Sequence, residues 1–328
     1  MSNIDLVWLN QTNNTESNFV VSPFGYYKIL YYLNHFSEGK QKEEIAKIVN
    51  QHKGDIENSS FGDKNYLFLK DVYQPILNQD SVSKIPKKQS LEIKGLNEAK
   101  NFDVGDISED TIAIILNKLV FDQKWNDKFV NTTERFFNYR QESKDADFIH
   151  SESDFDYYED SEIEILRVNF ENDYYINIFL PKGSLNYLFF DGIEKQLKKS
   201  DRLTYQNISA YIPKFKFDYD LDLIPTTKSL GIHKIFDFSK DWNLVDFSKL
   251  KSEALLKVSQ IEQKSKIILD DIGTKAESTT FSFIATTGCL YMSYAGPAKK
   301  VIVDRPFAFT VNHKECSIPL FLGCVKEI

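Results

Sequence analysis

The sequence predicts an α+β fold: large mixed and antiparallel β-sheets with peripheral helices. Three observations carry this reading. Helical apolar spacing is confined to the segment before Val49, whereas runs rich in β-branched and aromatic residues fill most of the chain beyond it. Helix and strand do not alternate at constant period, as they would in a parallel sheet built from crossover units. The 328 residues, 42% of them hydrophobic, hold ample material for a core. With no linker-like tract and no internal repeat, one domain spanning residues 1–328 is expected.

Ser22 before Pro23 is a helix cap with proline in the first turn, and Pro23 to Asn34 has the spacing of a buried helix. Lys40 to Val49 is amphipathic, with Ile45, Ile48 and Val49 on one side. Strands are predicted over Asn65–Tyr73, Thr111–Phe121, Glu162–Phe170, Tyr174–Leu180, Asn207–Phe217, Ser265–Asp270, Lys300–Val311 and Ile318–Val325. The acidic tract Asp145 to Glu162 reads as a solvated loop, because it lacks the turn glycine and ligand register of a calcium site. The basic run Lys195 to Arg202 reads as an exposed helix face.

Composition excludes several functions. A formal net charge of -8 argues against a general nucleic-acid or anionic-membrane binder, which needs a basic field. No window reaches the roughly 18 apolar residues of a membrane span. Met1 to Gln11 lacks the basic and apolar regions of a secretory signal, so a cytoplasmic monomer is expected, or a secreted one if a signal was removed ahead of this numbering. Cys289, Cys316 and Cys324 are an odd count that fits reduced thiols. The five histidines are scattered and the cysteines form no CxxC, so no metal and no cofactor is expected. Gly273-Thr274-Lys275 lacks the first glycine of a phosphate loop. Cys289 has no nominated base, which leaves a thiol hydrolase as a minor reading.

The stretch from Asp271 to Thr287 is the most informative. Thr274, Ala276, Ser278, Thr280, Ser282, Ile284 and Thr286 fall on one face of an extended chain, and Lys275, Glu277, Thr279, Phe281, Phe283 and Ala285 on the other. The first face carries nothing charged, so this peptide could slide into a sheet with that face inward.

Asn18-Phe-Val-Val-Ser-Pro23, Asn117-Lys-Leu-Val-Phe121 with Trp125 and Phe129, Ile212-Pro-Lys-Phe-Lys-Phe217, Leu230-Gly-Ile-His-Lys-Ile-Phe236, Val258-Ser-Gln-Ile261, Asp304-Arg-Pro-Phe-Ala-Phe309 and Leu320-Phe-Leu-Gly323 occur in the order found in serpins. The chain resembles that family from Asn18 to Val325. The resemblance implies a protease inhibitor: a target serine or cysteine protease cleaves an exposed loop, about 271–303, whose first half then inserts into the large sheet and drags the acyl-enzyme with it. Asp271, Gly273, Thr274, Ala276 and Ser278 are the implied hinge. Ser22, Asn117 and Gln263 are the implied sheet-opening cluster, with Gly25 where a serine is usual and Gln263 where a histidine is usual. The reactive bond implied by the usual spacing from the hinge glycine is Thr287–Gly288, and a shorter spacing gives Thr286–Thr287. Thr287 suits a small-pocket, elastase-like enzyme.

Lys275 and Glu277 depart from the family hinge but fall on the outward face. The chain is also shorter than the family pattern between Tyr73 and Thr111, which implies that the helix lying across the large sheet is cut down. The compact build resembles poxvirus serpins that act on host proteases. A non-inhibitory binding protein of the same fold is the second reading.

A charge on the inserting face would oppose burial. Thr274→Arg is therefore expected to turn the protein from inhibitor into substrate. Denaturing gels should show cleaved chain without adduct, and full retention of inhibition would sink the insertion model.

Overall fold

Ser22 ends the first strand and starts the first helix in one step. Its side chain accepts a hydrogen bond from the Gly25 amide at 3.0 Å, so the proline-led turn begins with one orphan donor satisfied. In the computed structural model, which describes residues 17–59, 61–102, 104, 107, 109–119, 121–183, 193–249, 255–273 and 297–328, this joins β1 (Phe19–Val21) to α1 (Pro23–Phe36). Phe24, Tyr26, Tyr27, Leu30, Tyr32 and Phe36 are all buried, so α1 is enclosed on nearly every side. α2 (Gly39–Asn58) runs well past the predicted end at Val49, and Ile56 alone of its last turns reaches the core.

The rest of the described chain is mostly sheet. A nine-stranded sheet runs in the order β1, β14 (Phe321–Val325), β13 (Phe307–His313), β8 (Tyr174–Pro181), β7 (Ile163–Asn169), β6 (Ser143–Glu159), β9 (Thr204–Pro213) and β12 (Lys299–Ile302), with β5 (Val130–Phe137) pairing the first half of β6. β2 (Lys64–Leu69) lies between β3 (Glu92–Gly95) and β4 (Ala113–Lys118) in a three-stranded sheet. β10 (Phe215–Asp222) and β11 (Glu262–Leu269) form a separate antiparallel pair. Shorter helices α3 (Gln79–Ser83), α4 (Ile193–Lys199) and α5 (Ile224–Ser229) sit at the periphery.

The acidic tract is a strand, not a loop. Asp145 to Glu159, most of the tract, belongs to β6, whose buried Ala146, Phe148, Ile149, Ser151, Phe155 and Tyr157 are interleaved with exposed Asp145, Asp147, Glu152, Asp154 and Glu159. The carboxylates occupy the face that water reaches, which is why their density does not break the strand. β5 is a strand outside the predicted set. The predicted strand Asn207–Phe217 divides at Pro213 and Lys214 between two sheets, and Lys300–Val311 divides around Arg305, whose guanidinium donates to the Pro181 carbonyl and pairs with Glu164. The basic run is not uniformly exposed: Lys198 is open to solvent, but Lys199 is largely buried and bridges Asp160 and Glu162, each at 2.9 Å.

Between Leu69 and Ala113 the described chain forms only the five-residue α3, the short β3 and isolated 3₁₀ turns. Leu96 and Ala99, with Phe102, Val104 and Ile107, cover Tyr66 and Phe68 as a small second core on the outer face of the three-stranded sheet. No described helix is long and apolar enough to cross a membrane.

Gly323 sits mid-strand in β14, opposite Val20 on one side and Phe309 on the other. A Cβ there would lie 2.5 Å from Phe309 Cζ and 2.7 Å from the Phe19 carbonyl. Gly323→Ala should destabilise the fold by about 1–3 kcal/mol, as overpacking typically does, seen as a lower midpoint in urea.

Candidate functional site

β4 is apolar over Ala113, Ile114, Ile115 and Leu116, yet each is only half-buried, whereas Tyr66 to Leu69 of its partner β2 are buried throughout. The difference lies at the far edge of β4. Among the described residues β4 pairs only with β2, and β11 only with β10. The two free edges line a cavity of about 1260 Å³, floored by Tyr26, Ile29, Leu33 and Phe36 of α1. Each edge offers a row of backbone donors and acceptors, so the seam is a template for one more strand.

Polar groups gather at this seam. Gln263 on β11 accepts from the Ser22 amide at 2.7 Å through Oε1 and donates to the Ser22 carbonyl at 2.9 Å through Nε2. Asn117 on β4 points its Oδ1 at Gly25, where a Cβ would lie only 2.9 Å from it. The missing side chain at Gly25 is thus the space that Asn117 fills. Its Nδ2 donates to Asn65 Oδ1 at 2.8 Å and to Asp63 Oδ2 at 2.9 Å. The structure brings Ser22, Asn117 and Gln263 together around the start of α1.

Two further members belong to no sequence-predicted set. Lys28 on α1 forms a 2.5 Å ion pair with Asp63, with side chains 0% and 1% exposed. Burial pushes the ammonium pKa down, and Asp63 opposes that shift. The signal is present in sequence: Phe24, Tyr27, Lys28, Tyr31 and Tyr32 share one helical face, so a lysine in that phase needs a buried partner.

The segment after β11 is pinned by a tryptophan. Trp125 stacks on Phe170 with ring centres 4.2 Å apart, its indole donates to the Asp270 carbonyl at 2.8 Å, and its amide donates to the Ile272 carbonyl at 3.3 Å. Asp271 pairs with Lys214 at 2.7 Å and accepts from Asn131 at 3.3 Å. The Lys214 bond holds the Asp271 carboxyl below the ordinary range. Gly273 adopts φ +125, and a Cβ there would lie 2.3 Å from the Gln123 carbonyl oxygen, so only glycine fits. Thr274, Ala276, Ser278, Thr286, Thr287, Gly288 and Cys289 lie outside the described residues.

The chain is held again at β12, which runs parallel to β9. Lys299 pairs with Glu159 and sits 4.7 Å over the Tyr157 ring, while Lys182 reaches the same carboxylate at 2.5 Å. Lys182 and Lys299 hold Glu159 at a pKa of about 2. Cys316 and Cys324 are free and buried, which raises both thiol pKa values. Among the described residues no group of three or more His, Cys, Asp or Glu side chains is placed to hold a metal ion.

Mixed β-sheets with few helices, and two strand edges left unpaired along one seam among the described residues, define the class of fold. The serpin (serine protease inhibitor) family model matches residues 97–328, and the chain belongs to the serpin family. Members of that family are in general inhibitors of proteases rather than catalysts. A serpin-like protein of Methanosarcina acetivorans is 25% identical over 294 residues, covering 87% of this chain and 64% of that protein, so the chain spans just under two thirds of its length. A leukocyte elastase inhibitor of Equus caballus is 25% identical over 297 residues, covering 82% of this chain and 76% of that protein. Thyroxine-binding globulin in complex with thyroxine superposes with a TM-score of 0.78 at 17% identity, over 99% of this chain and 98% of that one, which shows a shared fold.

Gly273→Ala should dislodge the hinge from Trp125 at a cost of about 1–3 kcal/mol, the usual range for a strained backbone position. The expected result is a lower melting temperature with a red-shifted tryptophan emission. Wild-type stability in this variant would contradict the tight backbone contact.

Proposed function

We propose that the chain is a protease inhibitor that traps its target covalently, with residues 271–303 as the reactive loop and β4 and β11 as the edges it inserts between. The observation that carries this is the half-buried apolar edge of β4 facing β11 across the cavity. Filling the seam would cover Ala113 to Leu116 and pair two rows of backbone groups, both favourable.

The hinge geometry supports the direction of travel. The Asp270 amide donates to the Gly273 carbonyl at 3.2 Å, closing a tight turn over Asp271 and Ile272. A strand folding back from that turn runs antiparallel to β11. Continuing its register sets Thr274 opposite Leu269, Ala276 opposite Ile267 and Ser278 opposite Ser265, and those three β11 residues are buried. The small face of the loop would therefore enter the core side, over α1. Lys275 and Glu277 would face outward, Glu277 opposite Lys266.

The protease nucleophile attacks the carbonyl carbon of Thr287, and the tetrahedral adduct expels the Gly288 amine, leaving an acyl-enzyme on Thr287 (Thr286 if the spacing is shorter). Insertion faster than water attack carries the ester or thioester away with the loop. Ser22, Asn117 and Gln263 govern the opening of the seam, and Thr287 suits an elastase-like target. The horse elastase inhibitor is consistent with that target class.

The test is incubation with elastase-, chymotrypsin-, trypsin- and caspase-type proteases, read by denaturing gel and by intact mass of the released C-terminal peptide. A denaturant-resistant adduct with a fragment beginning at Gly288 is expected. Cleavage without adduct and without a rise in melting temperature would instead identify a non-inhibitory binding protein of the same fold.

A further inference from the structure

We propose that Lys28 and Asp63 are a positioning pair that tethers β4 to α1 and thereby sets how readily the seam opens. This deepens the proposed inhibitory function and rests on it for the consequence at the protease, but the tether itself is a property of the intact protein.

Burying this pair is costly. Lys28 is the one charged residue among the buried positions of α1, and its ammonium is removed from water altogether. Two well-packed apolar residues of similar size would serve stability as well or better, because desolvating both ions offsets most of their attraction. The ion pair does what an apolar pair cannot: it holds a carboxylate in a fixed place with an acceptor to spare. Asp63 Oδ2 takes both the Lys28 ammonium at 2.5 Å and the Asn117 amide at 2.9 Å. One oxygen thus joins α1 to the strand whose other edge is open. Asn117 is otherwise held by Asn65, its cross-strand neighbour on β2. Breaking the Lys28–Asp63 contact is therefore the polar step in moving β4 away from the helix. Lys28 orients Asp63 from behind, with its Nζ 5.1 Å from the Phe24 ring centre.

Variants that strand one charge would be destabilised for reasons unrelated to tethering, so the test uses neutral pairs. In Lys28→Met/Asp63→Leu the acceptor for Asn117 is gone. In Lys28→Met/Asp63→Asn an amide oxygen remains to accept it. Amide hydrogen exchange of residues 113–118 in the uncleaved protein should speed up at least about tenfold in the Met/Leu pair, with β13 (307–313) unchanged as the internal control. The Met/Asn pair keeps the acceptor for Asn117 but has no polar link to α1, so it should exchange as fast as Met/Leu, and full protection in it would overturn the tether. Equal exchange in wild type and both variants would overturn the tether, as would uniform acceleration across β4 and β13, which is the mark of a merely structural role. The same variants incubated with a protease that wild type traps should show faster adduct formation in Met/Leu. Failure of wild type to trap any protease would remove the inhibitory reading while leaving the exchange result to decide the tether.

Discussion

The unpaired edge of β4 is the constraint on which the rest of the structure depends. A strand reading Ala-Ile-Ile-Leu would bury itself if it could, as its neighbour β2 does, yet in this arrangement it keeps water along one side. The hydrophobic effect and the unpaired backbone groups both favour filling the seam. On the chain's path out of β11, Gly273 bridges Lys124, and Lys299 is held to Glu159 where the described chain resumes.

The two anchors differ in kind. At the hinge, burial dominates: Trp125 stacks on Phe170, its indole and amide grip the backbone carbonyls on either side of Asp271, and Gly273 has no room for a side chain. At β12 a short edge strand pairs with β9 and buries Val301, and Lys299 adds an ion pair to a carboxylate shared with Lys182. Partly exposed ion pairs are weak individually.

Much of this is legible in the chain, and the illegible parts share causes. Ser22-Pro23 announces α1 because a cap and a fixed φ are local devices. The far half of α2 is hidden because beyond Val49 only Ile56 marks its buried face. β6 reads as loop because the density of carboxylates obscures the alternation beneath them. The division of Asn207–Phe217 between two sheets has no signature, since periodicity reports which face is buried and not which partner covers it. Trp125 is visible as a residue, but its grip on Asp270 and Ile272 joins positions far apart in sequence. Lys28 differs from these because its clue is present, a charge in phase with buried rings.

The abbreviated stretch between Leu69 and Ala113 bears on how the seam behaves. The outer face of β2 and β4 is covered by a strap whose buried members are Leu96 and Ala99, with Phe102, Val104 and Ile107 partly exposed against Tyr66 and Phe68. Phe102, Val104 and Ile107 also line the cavity, so this cover reaches the seam itself. A strand entering there would have to displace little apolar contact from above, while below it must part β4 from the polar cluster on α1. Among the described residues the polar contacts of the seam, Gln263 with Ser22 and Asn117 with Asp63, lie on the α1 side of the sheet, while the cover on its other face is apolar.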